Sequence, residues 1–289
     1  MRFLDVKTDY AFKRVFGAED SKPILISFLN AMLEAEGDNA IVDLTIVDPY
    51  QIPMLQGMKD TFVDVKAVLA CGKRVIIEMQ VLNVAGFEQR ILYNAAKQYA
   101  TQLAKGENYA LLNPVIALTF TDFAMFEGET DYLSRFRLIE RERFIEYSDD
   151  VELVFVELPK FQKEATELKT VQDKWIYFVK NAGRLDCVPL ALETEGPIQT
   201  AFTHINEAAM TPEELELQHK RHDFIILQRG SIEKGIADGL AKGRAEGKAE
   251  GDKAARLAVA RNLLAVMDNA AIAAATGFSE AEVGELRQT

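Results

Sequence analysis

The chain predicts an α/β fold, a mixed β-sheet flanked by helices, with a helical extension after it. Three observations carry that reading. Phe62 to Val81, FVDVKAVLACGKRVIIEMQV, sets two alternating runs rich in Val, Ile and Ala around Cys71-Gly72-Lys73, which is the pattern of a β-hairpin. Gly86 to Ala104 places apolar residues at helical spacing. Pro114 to Thr121 is a near-continuous apolar run that suits a strand buried on both faces. Strand, helix and strand in that order favour a mixed sheet over a helical bundle.

The elements follow in order. Asp9 to Gly17 reads as a short helix capped by Thr8 or Asp9 and stopped by Gly17, with Phe12, Val15 and Phe16 inward and Lys13 and Arg14 outward. Ser21 caps a second helix with Pro23 in its first turn, and Leu25, Phe28, Leu29 and Met32 keep helical spacing. Ile41 to Val47 reads as a strand before the hairpin. The Gly86–Ala104 helix buries Ile91, Leu92, Ala95 and Leu103 and lines Arg90, Tyr93 and Lys97 along one side. Arg135 to Glu140 and Val151 to Leu158 are further strands, and Leu168 to Ala182 is an amphipathic helix with Trp175 and Phe178 inward.

Residues 184–230 carry little strand signal, and Pro189, Pro197 and Pro212 punctuate them. Thr211-Pro212-Glu213-Glu214 starts a helix, on which His219 and His222 have the spacing of helix-borne metal ligands; without a third soft ligand nearby, a solvated charged face is the better reading. Gly235, Gly239, Gly243, Gly247 and Gly251 then recur every four residues. Each interior glycine costs a helix about 1 kcal/mol relative to Ala, so a helix with a glycine row and a partly helical tether both remain open. Ala254 to Met267 is apolar-periodic. Asn269 to Ala275 and Ser279 to Leu286 are short helices around Gly277, and Ser279 with Glu282 forms a capping-box pattern.

A hairpin pairing centred on Gly72 sets Asp64 opposite Gln80, Lys66 opposite Glu78 and Val68 opposite Ile76. Side chains alternate along a strand, so these six share one face, while Val63, Val65, Ala67, Leu69, Val75, Ile77, Met79 and Val81 make an apolar face. Two carboxylates and an amide oxygen on neighbouring strands suit a hard divalent cation such as Mg²⁺, Mn²⁺ or Ca²⁺. The same pattern also fits a half-exposed hairpin with ordinary solvated charges.

At 289 residues the chain can bury a sizeable core, and 48% hydrophobic with 27% charged residues fits a globular protein. Cys71 and Cys187 lie far apart and suggest neither a disulfide framework nor a zinc site. The charged start MRFLDVKTDY and the absence of a long apolar run predict no signal peptide, no membrane span and a cytoplasmic location. The net charge of −12 argues against tight general binding to nucleic acid. It is unevenly spread: −2 over residues 1–120, −7 over 121–200 and −3 over 201–289.

Asp on one strand followed by Glu-x-Gln on the next resembles the PD-(D/E)XK nuclease superfamily. The surrounding segments, DYAFKRVFG (9–17), ISFLNAML (26–33), FVDVKA with IIEMQ, FEQRILY (87–93), KGENYALLNPVIALTFTDF (105–123) and VFVELPKF (154–161), resemble more specifically the recombination-promoting nuclease (Rpn) family, also described as PD-(D/E)XK nuclease-family transposases. The likeness runs in order from about residue 5 to 180. It implies a restriction-endonuclease-like core over 1–182, a connector over 183–230 and a C-terminal segment over 231–289 whose tail is similar to a helix–turn–helix. It further implies a metal-dependent DNA endonuclease using Mg²⁺, with Mn²⁺ or Ca²⁺ as alternatives, linked to recombination or mobile elements. Asp64 and Glu78 match the metal ligands, and Gln80 stands where the superfamily usually has Lys. Gln carries no charge, so Gln80 would ligate metal or orient a water, and Lys66 would supply the missing cation. Lys13, Arg90 and Lys97 are candidate DNA phosphate contacts, with Asp9 and Tyr93 beside the site. A catalytically weak scaffold for oligomerisation or DNA binding is the alternative, favoured by Gln80 and the acidic charge. Such cores generally cut one strand per site, which implies a homodimer. The apolar sides Leu257/Ala260/Leu264 and Val259/Leu263/Val266 offer a surface for it.

Overall fold

Thr8 starts the first helix, α1 (Asp9–Phe16): its hydroxyl accepts the amide of Ala11, and Gly17 ends the turn. The structure is a computed structural model that describes residues 2–51 and 61–288. Helix α2 (Lys22–Leu33) follows with proline in its first turn, as the sequence predicts. Strands β1 (Leu44–Val47), β4 (Val65–Leu69) and β5 (Arg74–Gln80) then form an antiparallel meander, while β2 (Tyr50–Gln51) and β3 (Thr61–Phe62) pair as a separate ribbon. Helix α3 (Phe87–Ala100) crosses to β6 (Val115–Thr121), which runs parallel to β5 and is buried along its whole length. Strand β8 (Glu146–Glu157) is parallel to β6, and β7 (Leu133–Ile139) closes the edge antiparallel to β8. The sheet order is β1-β4-β5-β6-β8-β7, the mixed sheet flanked by helices that the sequence predicts.

One face of the sheet meets α1, α2, α4 (Val171–Asn181) and α5 (Gly196–His204) in the main core, where Phe16, Phe28, Phe120, Trp175 and Phe178 are fully buried. Trp175 Nε1 donates to Ser27 Oγ at 3.2 Å, so burying the indole leaves no orphaned donor. The other face carries a smaller cluster of Val63, Ile76, Phe87, Ile91, Ala95, Ala117 and Phe155 under α3. The sheet is covered on both sides, and its central strands are apolar on both faces for that reason.

The hairpin register differs from the one centred on Gly72. The pairs are Val65↔Ile77, Lys66↔Ile76 and Val68↔Arg74. The turn closes with the Leu69 amide donating to Lys73 O and the Gly72 amide to Leu69 O. Gly72 has φ +89°, so the glycine takes the last, left-handed loop position instead of the centre. The slip is two residues, an even number, so the faces survive: Val65, Ala67, Leu69, Val75, Ile77 and Met79 all enter the main core. Val63 does not follow them, because the chain bends at Asp64 and turns Val63 toward α3.

The connector expected over 183–230 divides in two. Leu192, Ile198, Ala201, Phe202 and Ile205 join the main core, and from Pro212 a single helix, α6 (Pro212–Leu263), runs through the glycine row. The chain separates into units 2–225 and 226–288 among the described residues. In the C-terminal unit, α7 (Asn269–Thr276) and α8 (Glu280–Leu286) fold back on the end of α6 around Ala260, Ile272 and Val283, and the Ser279–Glu282 capping box is formed. Ala260, Leu263 and Leu264 are therefore covered by the chain's own tail, while Val259, Val266 and Met267 stay exposed. No helix among the described residues is long and apolar enough to cross a membrane.

Candidate active site

The bend at Asp64 is chemical as well as geometric. The Asp64 amide still donates to Ile77 O at 3.1 Å, but the next ladder acceptor is the Asp64 carboxylate itself, whose Oδ2 accepts the Met79 amide at 2.7 Å. The strand thus gives up a backbone acceptor and fixes a carboxylate beside the residue that follows Glu78. Asp9, in the first turn of α1, lies beside Asp64, and Lys13 one turn later lies 2.6 Å from Asp9 Oδ1 and 3.8 Å from Asp64 Oδ1. Lys13 is half-buried between two acids instead of pointing outward. Burial pushes the Asp64 carboxyl up to about 7; Asp9 adds to the rise, and the Met79 amide and Lys13 only partly oppose it.

Glu78 is 7% exposed because α3 lies over it, so a freely solvated hairpin charge does not describe it. Asn94 Nδ2 donates to Glu78 Oε1 at 2.6 Å, and Arg90 Nη2 reaches Glu78 Oε2 at 3.4 Å. Burial raises the Glu78 pKa against the pull of Arg90 and Asn94. Gln80 Oε1 accepts from Arg90 Nη2 at 2.6 Å, and its Nε2 donates to Leu82 O at 2.6 Å.

Lys66 faces Ile76 across the ladder, and its neighbouring charges are Arg74 and Asp48. Lys66 beside Glu78 is thus corrected by the two-residue register shift; the cation at Glu78 and Gln80 is Arg90. Lys97 is 4% exposed, so it is an inner residue of α3, not a surface cation. Tyr93 is partly exposed and Leu92 is exposed at 56%, while Asn94 is buried in its place. The inward arc of α3 is Phe87, Ile91, Asn94, Ala95 and Gln98, rotated from the apolar arc the sequence predicts. Sequence reasoning missed Asn94. Its only signal was a polar residue between Ile91 and Ala95 on the inner side of an amphipathic helix.

The family's implied cofactor is a divalent cation, and the donor chemistry fits one. Asp9, Asp64, Glu78 and the Gln80 oxygen are hard donors. Burial first and then the neighbouring Asp9 raise the Asp64 pKa, and Lys13 offsets only part of that rise. No three Asp, Glu, His or Cys among the described residues form a ready metal cage. Mg²⁺ does not require one, since it binds through one or two carboxylates and keeps waters that substrate oxygens replace.

The chain matches the sequence model of the PD-(D/E)XK nuclease family transposases over residues 6–234. It belongs to that family, and the mixed sheet flanked by helices is consistent with the family's nuclease-like fold. No match was found among curated proteins or among solved structures.

Proposed function

Taking membership of this nuclease family as the premise, we propose that the protein is a metal-dependent endonuclease that hydrolyses phosphodiester bonds of DNA, in the service of recombination or a mobile element. The observation that carries this is the placement of Asp64: a partly buried carboxylate beside a second acid, Asp9, with its Oδ2 anchored by the Met79 amide next to Glu78. Lys13 offsets part of that like-charge cost, and a divalent cation would offset more of it. Asp64 and Glu78 would hold the cation, with Asp9 close behind. A divalent ion there supplies Lewis-acid charge on the phosphoryl oxygen and a water of lowered pKa. The chain's own part is positioning. Asn94 fixes Glu78 Oε1, the Met79 amide fixes Asp64 Oδ2, and Gln80 anchors Arg90 through its Oε1. Arg90 and Lys13, both about two-fifths exposed, are the cations available to backbone phosphates.

Nicking of a supercoiled plasmid with and without Mg²⁺ tests the reading. Asp64→Ala should lower cleavage by about 10³-fold or more, the scale of losing a group that holds transition-state charge. Wild-type nicking by that variant would remove Asp64 from the mechanism.

One observation favours the weak-scaffold alternative. Arg90 already occupies Glu78 Oε2 and Gln80 Oε1, two of the oxygens a metal would use. Calorimetric titration with Mg²⁺ and Mn²⁺ decides between them, since a scaffold whose site is filled by Arg90 takes up neither ion. Self-association belongs to the same proposal. Val259, Val266 and Met267 remain uncovered on the C-terminal unit, and light scattering of the full chain against residues 1–225 measures whether they hold a dimer.

A further inference from the structure

A cavity of about 270 Å³ lies between the N-terminal segment, the turn after α4 and the start of α6, all within the sheet-bearing unit. Three features make it more than a surface dent. Gly183 packs so closely on Asp5 that a Cβ there would lie 2.6 Å from the Asp5 Cα; the wall is closed by glycine and by nothing larger. Gln218, only 4% exposed, lines the cavity, and its Oε1 has no hydrogen-bond partner among the described residues. An orphaned buried carbonyl oxygen is costly, about 1–3 kcal/mol, unless something supplies a donor. The third feature is charge. Of the three acids on the wall, Asp5 has Lys7 Nζ at 3.6 Å and His222 Nε2 at 3.8 Å from its Oδ2, Glu207 has His219 Nε2 at 3.9 Å from its Oε1, and Asp186 has no ion-pair partner among the described residues. Arg2 and Arg184, also on the wall, have no ion-pair partner among the described residues.

We propose that this cavity is a binding site for a small phosphate monoester that also carries an N–H or O–H donor, the chemistry of a nucleoside monophosphate. Arg2 and Arg184 receive the phosphate, since guanidinium groups match its oxygens in paired hydrogen bonds. Gln218 Oε1 accepts from the donor on the base or sugar. The volume sits just under the roughly 300–1,000 Å³ of drug-sized pockets, which suits one nucleotide and excludes a duplex. The same chemistry has two sources, a free mononucleotide or the 5′-phosphorylated end of a strand. His219 and His222 here line the wall beside carboxylates, and no metal-holding group of three forms among the described residues. The site uses neither Asp64 nor Glu78, so it stands or falls apart from the nuclease reading.

The test is calorimetric titration of the full chain in chelator, with deoxyadenosine 5′-monophosphate, deoxyadenosine and inorganic phosphate as probes. The monophosphate should bind at least tenfold tighter than either fragment. Arg2→Gln with Arg184→Gln, both exposed positions, should weaken it at least tenfold with an unchanged thermal unfolding midpoint. Gln218→Met should bring the monophosphate down toward the affinity of phosphate alone. A tetranucleotide with and without a 5′-phosphate separates the sources: binding only of the free monophosphate assigns a nucleotide site, and equal binding of the phosphorylated oligomer assigns a strand end. No saturable binding of the monophosphate below millimolar concentration, or equal binding by the double arginine variant, overturns the proposal.

Discussion

Asp173 and Glu157 in the sheet-bearing unit, and Asp64 in the candidate site, are all largely withdrawn from water, yet they are treated oppositely. Asp173 accepts from Lys163 Nζ at 2.5 Å and from the amides of Lys169 and Thr170 at 3.1 and 3.3 Å. Burial alone would raise its pKa, but the Lys163 and amide bonds outweigh it and hold the carboxyl below the usual range. Glu157, with no exposed surface, takes Lys160 at 2.6 Å and the Met125 and Phe126 amides. Asp64 has one amide, a lysine at 3.8 Å and a second acid, and it is pushed to about 7. Where a carboxylate serves the fold, the surrounding chain completes its hydrogen bonds and its charge. At the candidate active site the chain stops short, and that deficit is what a bound cation would fill.

The largest effect should come from unbalancing a completed acid. Lys160→Met leaves Glu157 buried without its cation and should cost about 3–5 kcal/mol in urea unfolding. A loss under about 1 kcal/mol would mean the two amides suffice, and the contrast with Asp64 would blur. The opposite sign is expected at the incomplete acid. A carboxyl whose folded pKa is raised favours the protonated state, so Asp64's contribution to wild-type stability is fully present below its ordinary value of 3.8 and is lost as pH rises toward 7. Asp64→Asn, which keeps an oxygen for the Met79 amide, should therefore stabilise the protein by on the order of 2 kcal/mol at pH 8. The gain should vanish below about pH 4 in the same thermal melts. A gain independent of pH would sever it from ionisation.

Mg²⁺ sharpens the comparison further. Raising Mg²⁺ from chelator to ten times its dissociation constant should stabilise wild type by about 1.4 kcal/mol through mass action. Asp64→Asn should gain little, and Asp173→Asn should gain as much as wild type does. The smallest effect is expected where no environment exists at all. Gly239 on α6 has nothing within 4 Å of an added Cβ, so Gly239→Ala should add no more than about 1 kcal/mol, from helix propensity alone. Amide hydrogen exchange along α6 reads it, and a decrease in protection would show that the glycine row meets another surface in solution.

How much was legible in the sequence varies with the range of the interaction involved. Thr8 as a cap, the apolar face of the hairpin, the fully buried β6 strand and the Ser279–Glu282 capping box were all readable, because each rests on contacts within a few residues or on a repeat of 2 or 3.6. Periodicity assigns faces but not partners. The two-residue shift of the hairpin kept the faces from Val65 onward and moved every pair, so the pattern sets Lys66 against Glu78 and the structure sets it against Ile76. Likewise α3 was legible as a helix, while its rotation was decided by what it packs on. Asn94 turns inward because Glu78 beneath it needs a donor, and Lys97 goes with it into the interior. The sequence by itself determined most of the sheet-bearing unit's elements, the apolar face of the hairpin and the carboxylates just before β4 and on β5. Only the tertiary structure decided that Arg90 and Asn94 hold Glu78 and that Asp9 crowds Asp64, because those choices are made between elements far apart in the chain, where no local repeat can speak for them.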